Sequence, residues 1–333
     1  MKSLMKSLKQ YIENRIENHT NESILDDEDV LLNPERDKEI VKSWIEDNYT
    51  IKGHLKINDD LTIDCSGDVM VKNNNIESLT NGLFRWGKIG EDFSCSWSKN
   101  LTSLEGAPKE VGGNFNCSGC DNLKSLEGAP KEVGGYFDCS DCENLRSLKG
   151  APEKVGRDFD CSFCKNLRSL EGGHKVIGGN FYCSDCENLR SLKGAPEKVG
   201  RNFNCSKCDK LLSLEGAPKY VRSNFYCSYC ENLKSLEGAP EKINGDFYCN
   251  YCKNLTSLKG APKYANSKFS CSYCENLKSL EGAPKVIGGN FDCHECINLT
   301  SLKGAPEKVR GNFKCHGCEN LKITNSDLKK YKI

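Results

Sequence analysis

Phe93, Phe115, Phe137, Phe159, Phe181, Phe203, Phe225, Phe247, Phe269, Phe291 and Phe313 follow one another at a constant spacing of 22 residues. No insertion breaks this register over the 220 residues from the first to the last. A fixed period of this length is the mark of stacked repeats, each touching only its neighbours. One added residue would displace a whole column of contacts, so the unbroken count points to coils laid one on the next. The fold class expected is mostly β: a 22-residue-repeat solenoid of about eleven regular turns, the last truncated, with a small helical N-terminal cap.

One unit, residues 137–158, reads FDCSDCENLRSLKGAPEKVGRD. Phe137 and Cys139 alternate, so both point inward from one short strand. Leu145 and Leu148 form a second apolar pair, and Val155 supplies a third inward contact before the next Phe. Gly150 with Pro152, and Gly156, mark corners where the backbone turns. No stretch inside a unit has helical periodicity long enough for a helix. Twenty-two residues cannot bury these side chains alone; stacked units bury them in a continuous narrow core. A second Cys stands three residues after the first in ten of the eleven units, from Cys120 to Cys318, and Ser98 takes that place in the first. Asn follows it two residues later, as Asn122, Asn144, Asn166 and Asn188 show, with Lys210 the exception. Buried Asn, Cys and Ser columns are expected to bond corner backbone groups that no strand partner satisfies.

The pattern Cys-x-x-Leu-x-x-Leu, then Pro-x-x-Val-Gly-Gly-x-Phe-x-Cys, resembles a short leucine-rich repeat with Cys at that family's Asn/Cys position. The run NLKSLEGAPKEVGG, residues 122–135, is similar to leucine-rich-repeat proteins of tailed bacteriophages. The resemblance covers residues 93–320. An irregular turn precedes it, with Val69, Val71, Ile76 and Leu79, and Asn73–Asn75 where Cys would stand. The unit is short, its Cys is doubled, and it lacks a helix on the convex side. Either a curved horseshoe or a straighter, flattened β-solenoid is compatible with that pattern.

Four segments are expected. Residues 1–36 form an amphipathic helix (Leu4, Leu8, Ile12, Ile16, with Met5 and Tyr11) and an acidic linker, Glu22 to Asp29. Their opening also resembles, over about ten residues, the head-targeting leaders of some phage virion proteins. Residues 37–92 are the N-terminal cap: Ile40, Val41, Trp44 and Ile45 share one helical face, and Leu55, Ile57, Leu61, Ile63 and Cys65 alternate as strands. Residues 93–320 are the solenoid. Residues 321–333, with Lys329, Lys330 and Lys332, are a polar closing cap.

Lys+Arg and Asp+Glu are equal at 47 each, which argues against nucleic acid as a partner. No run of about 18 apolar residues exists, so no membrane-spanning helix is expected. The first residues lack the apolar stretch of a secretory signal. A reducing cytoplasm follows as the expected location, where the 22 cysteines are not disulfides but a ladder of buried thiols. Stacked turns about 4.8 Å apart would nevertheless permit inter-turn bridges on oxidation. The residue after the second Leu and the one four later carry opposite charge in eight of ten units, as in Glu105/Lys109 and Lys149/Glu153. The exceptions, Glu237/Glu241 and Lys259/Lys263, are in adjacent units and would pair between turns.

Three function classes compete. Ten Cys-x-x-Cys pairs have the spacing of metal ligands. A Cys-rich metal-binding module would centre on Cys293, His294, Cys296, Cys315, His316 and Cys318. His beside an inward Cys should point outward, however, and no metal ligand or cofactor is assigned. Catalysis has no nucleophile–base pair, no phosphate loop and no His-Glu-x-x-His; His19, His54 and His174 are isolated, so no enzyme is expected. Binding is the third class. The residue between Phe and the first Cys, and the residue before the second Cys, vary while the inward set is fixed. On a strand both would face outward. Tyr182, Tyr226, Tyr229, Tyr248, Tyr251 and Tyr273 gather there, with Asp138, Asp141 and Asp160 (and Asp158 beside them) as an acidic patch. Aromatic rings of this kind are enriched in binding hot spots, and this face is assigned to a protein partner. The competing reading is that the stacked tyrosines only stabilise the ladder. The phage resemblance implies a host factor as that partner, met in the host cytoplasm, or else a packaged or structural role in the virion.

Overall fold

The computed structural model describes residues 34–72, 74–173 and 176–331. The amphipathic segment of residues 1–33, Asn73, His174 and Lys332 lie outside the described residues.

Each regular unit contributes two short strands. One carries Phe, as in Phe137–Asp138, and the other carries Val or Ile, as in Lys154–Val155. Equivalent strands pair in parallel one unit apart, Phe137 with Phe159 and Val155 with Ile177. The Phe strands form one continuous 13-stranded sheet with two strands that precede them. The Val strands form a 10-stranded and a 3-stranded sheet, broken between Lys242–Ile243 and Tyr264–Ala265. At the break Ala265 stands where other units have Val or Ile, and the Asn266 side-chain amide donates to the Ile243 carbonyl at 3.4 Å.

The inward set is as the sequence implied. Phe137, Cys139, Cys142, Leu145 and Leu148 are fully buried, with Val155 2% exposed, and the other units repeat the pattern. Burying each large aliphatic or aromatic side chain contributes about 1.5–3 kcal/mol, and only stacked neighbours supply the cover. From Phe93 to Phe291 the rings stack at 5.0–5.8 Å with interplanar angles of 2–12°. The corner after Leu148 is held by Gly150, whose φ is +86°. A Cβ there would sit 2.4 Å from the Glu127 nitrogen of the turn below, so both conformation and space demand glycine.

Polar columns close the remaining corners. The second Cys of each unit donates its thiol to the carbonyl of the first Cys one unit back: Cys142 to Cys117 at 3.3 Å, Cys164 to Cys139 at 3.2 Å. The Asn column acts alike, Asn166 Nδ2 reaching the Glu143 carbonyl at 2.9 Å and Asn188 the Lys165 carbonyl at 2.8 Å. These side chains are not buried as the sequence reading held; Asn166 lies on the exposed surface.

Helix α1 (Pro34–Asn48) starts at a proline, which suits the first helical turn. Val41 and Ile45 are buried, and Trp44 packs edge-on against Phe84. Strand β1 (Tyr49–Ile51) pairs antiparallel with β4 (Val69–Val71), which pairs in parallel with the first Phe strand. Strand β2 (Leu55–Ile57) pairs antiparallel with β3 (Thr62–Cys65) at the same end of the other sheet. Leu61 is not in a strand; it turns with φ +58°. At the far end, helix α2 (Asn325–Tyr331) buries none of its residues. Its Thr324 and Asp327 form a reciprocal cap. Tyr331 lies 4.3 Å from the Phe313 ring and donates to the Pro306 carbonyl.

Charge pairing runs between units rather than within them. Lys149 meets Glu127 at 2.8 Å, Lys193 meets Glu171 at 3.2 Å, Lys259 meets Glu237 at 2.9 Å and Lys303 meets Glu281 at 2.7 Å. The within-unit pairs read from the sequence, such as Lys149 with Glu153, do not form among the described salt bridges. In a solenoid the residue 22 positions away is the lateral neighbour, whereas four residues along the chain rounds a corner. The doubly like-charged exceptions do pair between turns through Lys259 and Glu237.

Candidate functional site

The two variable columns are not both on the strand. Only Asp138 and its equivalents (Asp160, Tyr182, Tyr226, Tyr248) occupy the second strand position. The chain then turns, and the residue before the second Cys sits at the corner with positive φ: Asp141 +57°, Tyr229 +61°, Tyr251 +58°, Tyr273 +58°. The expectation of one outward strand face is therefore corrected to a half-buried strand column beside a more exposed corner column. The strand itself spans two residues; burial alternates on to Ser140 and the turns stay bonded at the Cys139 and Asp141 N–H groups, while the Cys139 carbonyl accepts the Cys164 thiol, and the chain has turned by Asp141.

The strand column is largely engaged. The Asp138 carboxylate accepts from the Ser140 N–H at 2.9 Å and its hydroxyl at 2.7 Å, and Asp160 accepts from the Ser162 N–H at 2.8 Å. These bonds shape the corner. Burial pushes the Asp160 carboxyl up; burial and then Asp138 and Asp121 do the same to Asp141. Asp158 accepts from the Asn180 N–H one unit on, at 2.7 Å. The acidic patch exists, but Asp138, Asp158 and Asp160 spend acceptors on the backbone. Tyr226 and Tyr248 stack at 5.2 Å. Their hydroxyls are anchored, Tyr226 accepting from Asn224 and Tyr248 donating to Asp246, each at 2.8 Å. Burial, then the Asp246 carboxylate, pushes the Tyr248 phenol up to about 12. Lys268 lies over the Tyr248 ring at 5.4 Å.

The corner column differs. Tyr229, Tyr251 and Tyr273 stack face to face at 4.4 Å, and none of their hydroxyls has a hydrogen-bond partner among the described residues. Tyr229, at the open end of the stack, is 46% exposed. The other end is closed by two residues that the sequence reading did not place here. His294 meets the Tyr273 ring edge-on at 4.9 Å, and His316 stacks on His294 at 4.9 Å. Five rings thus line one ridge over five units. The spacing of 22 between His294 and His316 was the available signal. Elsewhere in the column Trp97 and Phe163 are exposed. The Trp97 indole lies over Gly119, where a Cβ would come within 2.4 Å of the ring.

The thiols are not gathered for a metal. All 22 cysteines are free, and every one but Cys318 is buried. Burial pushes Cys186, Cys230 and Cys274 each up to about 12, which opposes the deprotonation a metal ligand needs. His294 turns away from the thiols, its Nδ1 lying 2.6 Å from Asp292 Oδ1. No cluster of three or more metal-binding side chains occurs among the described residues. No described helix is long and apolar enough to cross a membrane.

No protein-family model matches this chain, and no curated protein matches it. Among solved structures it is similar to a leucine-rich repeat protein from Bacteroides ovatus ATCC 8483. The two are 17% identical with a TM-score of 0.40, over 88% of this chain and 81% of that one.

Proposed function

We propose that this chain is a non-enzymatic repeat scaffold that binds another protein along the ridge of Tyr229, Tyr251 and Tyr273. The observation that carries the reading is the contrast between the two tyrosine columns. Tyr226 and Tyr248 have their hydroxyls tied to neighbouring side chains; the three corner tyrosines leave theirs unpartnered in a row. Each corner tyrosine also occupies a left-handed backbone position that disfavours a side chain by roughly 1–2 kcal/mol. Glycine holds that position in only two units, Gly119 and Gly317. A side chain retained at a strained site favours a role beyond the fold. Mutual stacking fixes the rings before any partner arrives, which lowers the ordering cost of binding.

Stacking also sets the chemistry of recognition. The ring faces are turned to one another, so a partner meets ring edges and hydroxyls. A polypeptide surface offering backbone carbonyls and apolar side chains suits that row. The similarity of residues 122–135 to phage repeat proteins makes a host-cell protein, met in the cytoplasm, the first partner to seek. Affinity capture from a host lysate tests this with wild type, a Tyr229/Tyr251/Tyr273→Ser variant, and Lys154→Ala on the Val-strand face as a control. A protein held by wild type and Lys154→Ala but lost by the triple variant, with all three equally folded by circular dichroism, supports the ridge. Equal capture by all three sinks it.

A further inference from the structure

One surface column of the solenoid carries charge of a single sign. It is the residue after the first Leu of each unit, and from Thr102 to Lys322 it is never acidic. Four consecutive units place Lys124, Arg146, Arg168 and Arg190 there, and Leu212, 54% exposed, ends the run. Every other column that is charged in three or more units mixes the two signs.

The four cations are held in file. The Arg146 N–H donates to the Lys124 carbonyl, Arg168 to Arg146 and Arg190 to Arg168, each at 3.2 Å. All four side chains are exposed, and none forms an ion pair among the described residues. The acids three residues to either side along the chain are taken by lysines. Lys99 meets Asp121 at 3.6 Å and Lys165 meets Glu143 at 3.2 Å. Lys149 meets Glu127 at 2.8 Å and Lys193 meets Glu171 at 3.2 Å. Glu187 is the one flanking acid without such a lysine among the described residues. Like charges placed side by side in a ladder repel, so the run works against the stack and no internal acid relieves it.

We propose that Lys124, Arg146, Arg168 and Arg190 bind the acidic face of a helix in a partner protein. Charge complementarity sets the sign of that partner. Guanidinium groups take carboxylates through paired N–H donors. Spacing sets its shape. Successive units lie about 4.8 Å apart, and a helix rises about 5.4 Å per turn. Glutamates at i, i+4, i+7 and i+11 therefore bring one carboxylate to each cation. In an extended strand, same-face residues lie about 6.8 Å apart and fall out of step within the run. The lane is narrow, with acids three residues to either side, so a single file of carboxylates fits where the two phosphate strands of a duplex would not. A single-stranded nucleic acid calls for aromatic side chains among the cations. Asn stands two residues before each cation and Ser one residue after, so neither adjoining column supplies a ring. The run lies in units that precede the Tyr229 ridge, and the proposal does not rest on that ridge.

Full-length protein is titrated into two labelled alanine-rich peptides, each about twenty residues long so that it is helical. Their compositions are identical. One carries four glutamates at i, i+4, i+7 and i+11; the other spreads them around the helix. Fluorescence anisotropy at low salt should show wild type binding the one-faced peptide about tenfold tighter, with that advantage lost in Arg146/Arg168/Arg190→Gln. Lys253/Lys259/Lys303→Gln changes net charge by the same amount and should keep it. Both variants alter exposed side chains only and should match wild type by circular dichroism. Added salt should weaken the binding. Equal binding of the two peptides by wild type overturns the proposal, as does an equal loss in the two variants. An oligothymidylate that binds the same arginines more tightly than either peptide would assign the run to nucleic acid and overturn it as well.

Discussion

Gly150 and Asp141 occupy left-handed positions in the same unit, and exchanging what each carries should act in opposite directions. At Gly150 an added methyl would lie 2.4 Å from the Glu127 nitrogen, 2.5 Å from its Cα and 2.6 Å from the Leu126 carbonyl carbon. These are backbone atoms with no rotamer to adopt. Ordinary contact requires about 3.5–4.0 Å, so the two turns must part locally by roughly 1 Å. The adjacent Leu126 N–H to Lys149 carbonyl bond, 2.8 Å long, would then be lost. The left-handed conformation costs alanine roughly 1–2 kcal/mol, and the lost bond adds about 0.5–1.5 kcal/mol. Gly150→Ala should therefore destabilise by about 2–4 kcal/mol, before any disturbance of the Leu148 column. Asp141→Gly removes the same conformational penalty, less about 0.4–1 kcal/mol for the freer unfolded chain. It also removes a carboxylate crowded by Asp138 and Asp121. A net gain of roughly 0.5–1 kcal/mol is expected. Urea unfolding followed by circular dichroism reads both, and midpoints suffice for the comparison because long repeat arrays depart from two-state behaviour. A Gly150→Ala midpoint equal to wild type would refute the close approach of successive turns. An Asp141→Gly variant as damaged as Gly150→Ala would refute the left-handed corner.

Leu189 is fully buried, so Leu189→Ala should cost about 2–5 kcal/mol. Tyr229→Ser loses one ring stack and should cost only about 0.5–1.5 kcal/mol; equal thermal shifts for the two would contradict the inward and outward assignments. Asp160 carries a carboxyl that burial pushes up, so the folded protein binds its proton more readily than the unfolded chain does. That group destabilises above its raised folded value, and the penalty fades as pH falls through that value towards the ordinary 3.8. Asp160→Asn keeps the acceptor for the Ser162 N–H, as Asn204 does for Ser206. It should stabilise at neutral pH, with the advantage shrinking on acidification; a gain that grows in acid would reverse the assignment.

The architecture was legible because the core is a periodic sentence: Phe, two Cys, two Leu and Val recur at fixed offsets, and the period alone dictates stacking. The site was half legible. Alternation correctly put Asp138 and Tyr226 beside the inward Phe, but extending it to Asp141 and Tyr229 assumed a strand that stops after two residues. The clue to the corner was glycine at equivalent positions, Gly119 and Gly317, since no residue type in Cys-Ser-Asp-Cys demands positive φ. The charge pattern misled for a related reason. A four-residue spacing makes neighbours on a helix, whereas here neighbours are made by the stack.

The inter-turn ion pairs bear on a hazard peculiar to such chains. With a near-identical core in every unit, a growing solenoid could loop out one unit and dock the next in its place, and the buried columns would scarcely register the mistake. The outer column would at several units. It reads Glu105, Glu127, Lys149, Glu171, Lys193, Glu215, Glu237, Lys259, Glu281, Lys303. Omitting the unit of Lys149 sets Glu127 against Glu171; omitting that of Glu171 sets Lys149 against Lys193. Omitting that of Lys259 sets Glu237 against Glu281. Each such pair is weak, about 0–1 kcal/mol, but it changes sign where everything beneath it stays the same. The exposed charges thus oppose the loss of some units and not of others, since omitting the unit of Glu127, Glu215 or Glu237 leaves Glu105 against Lys149, Lys193 against Glu237 or Glu215 against Lys259.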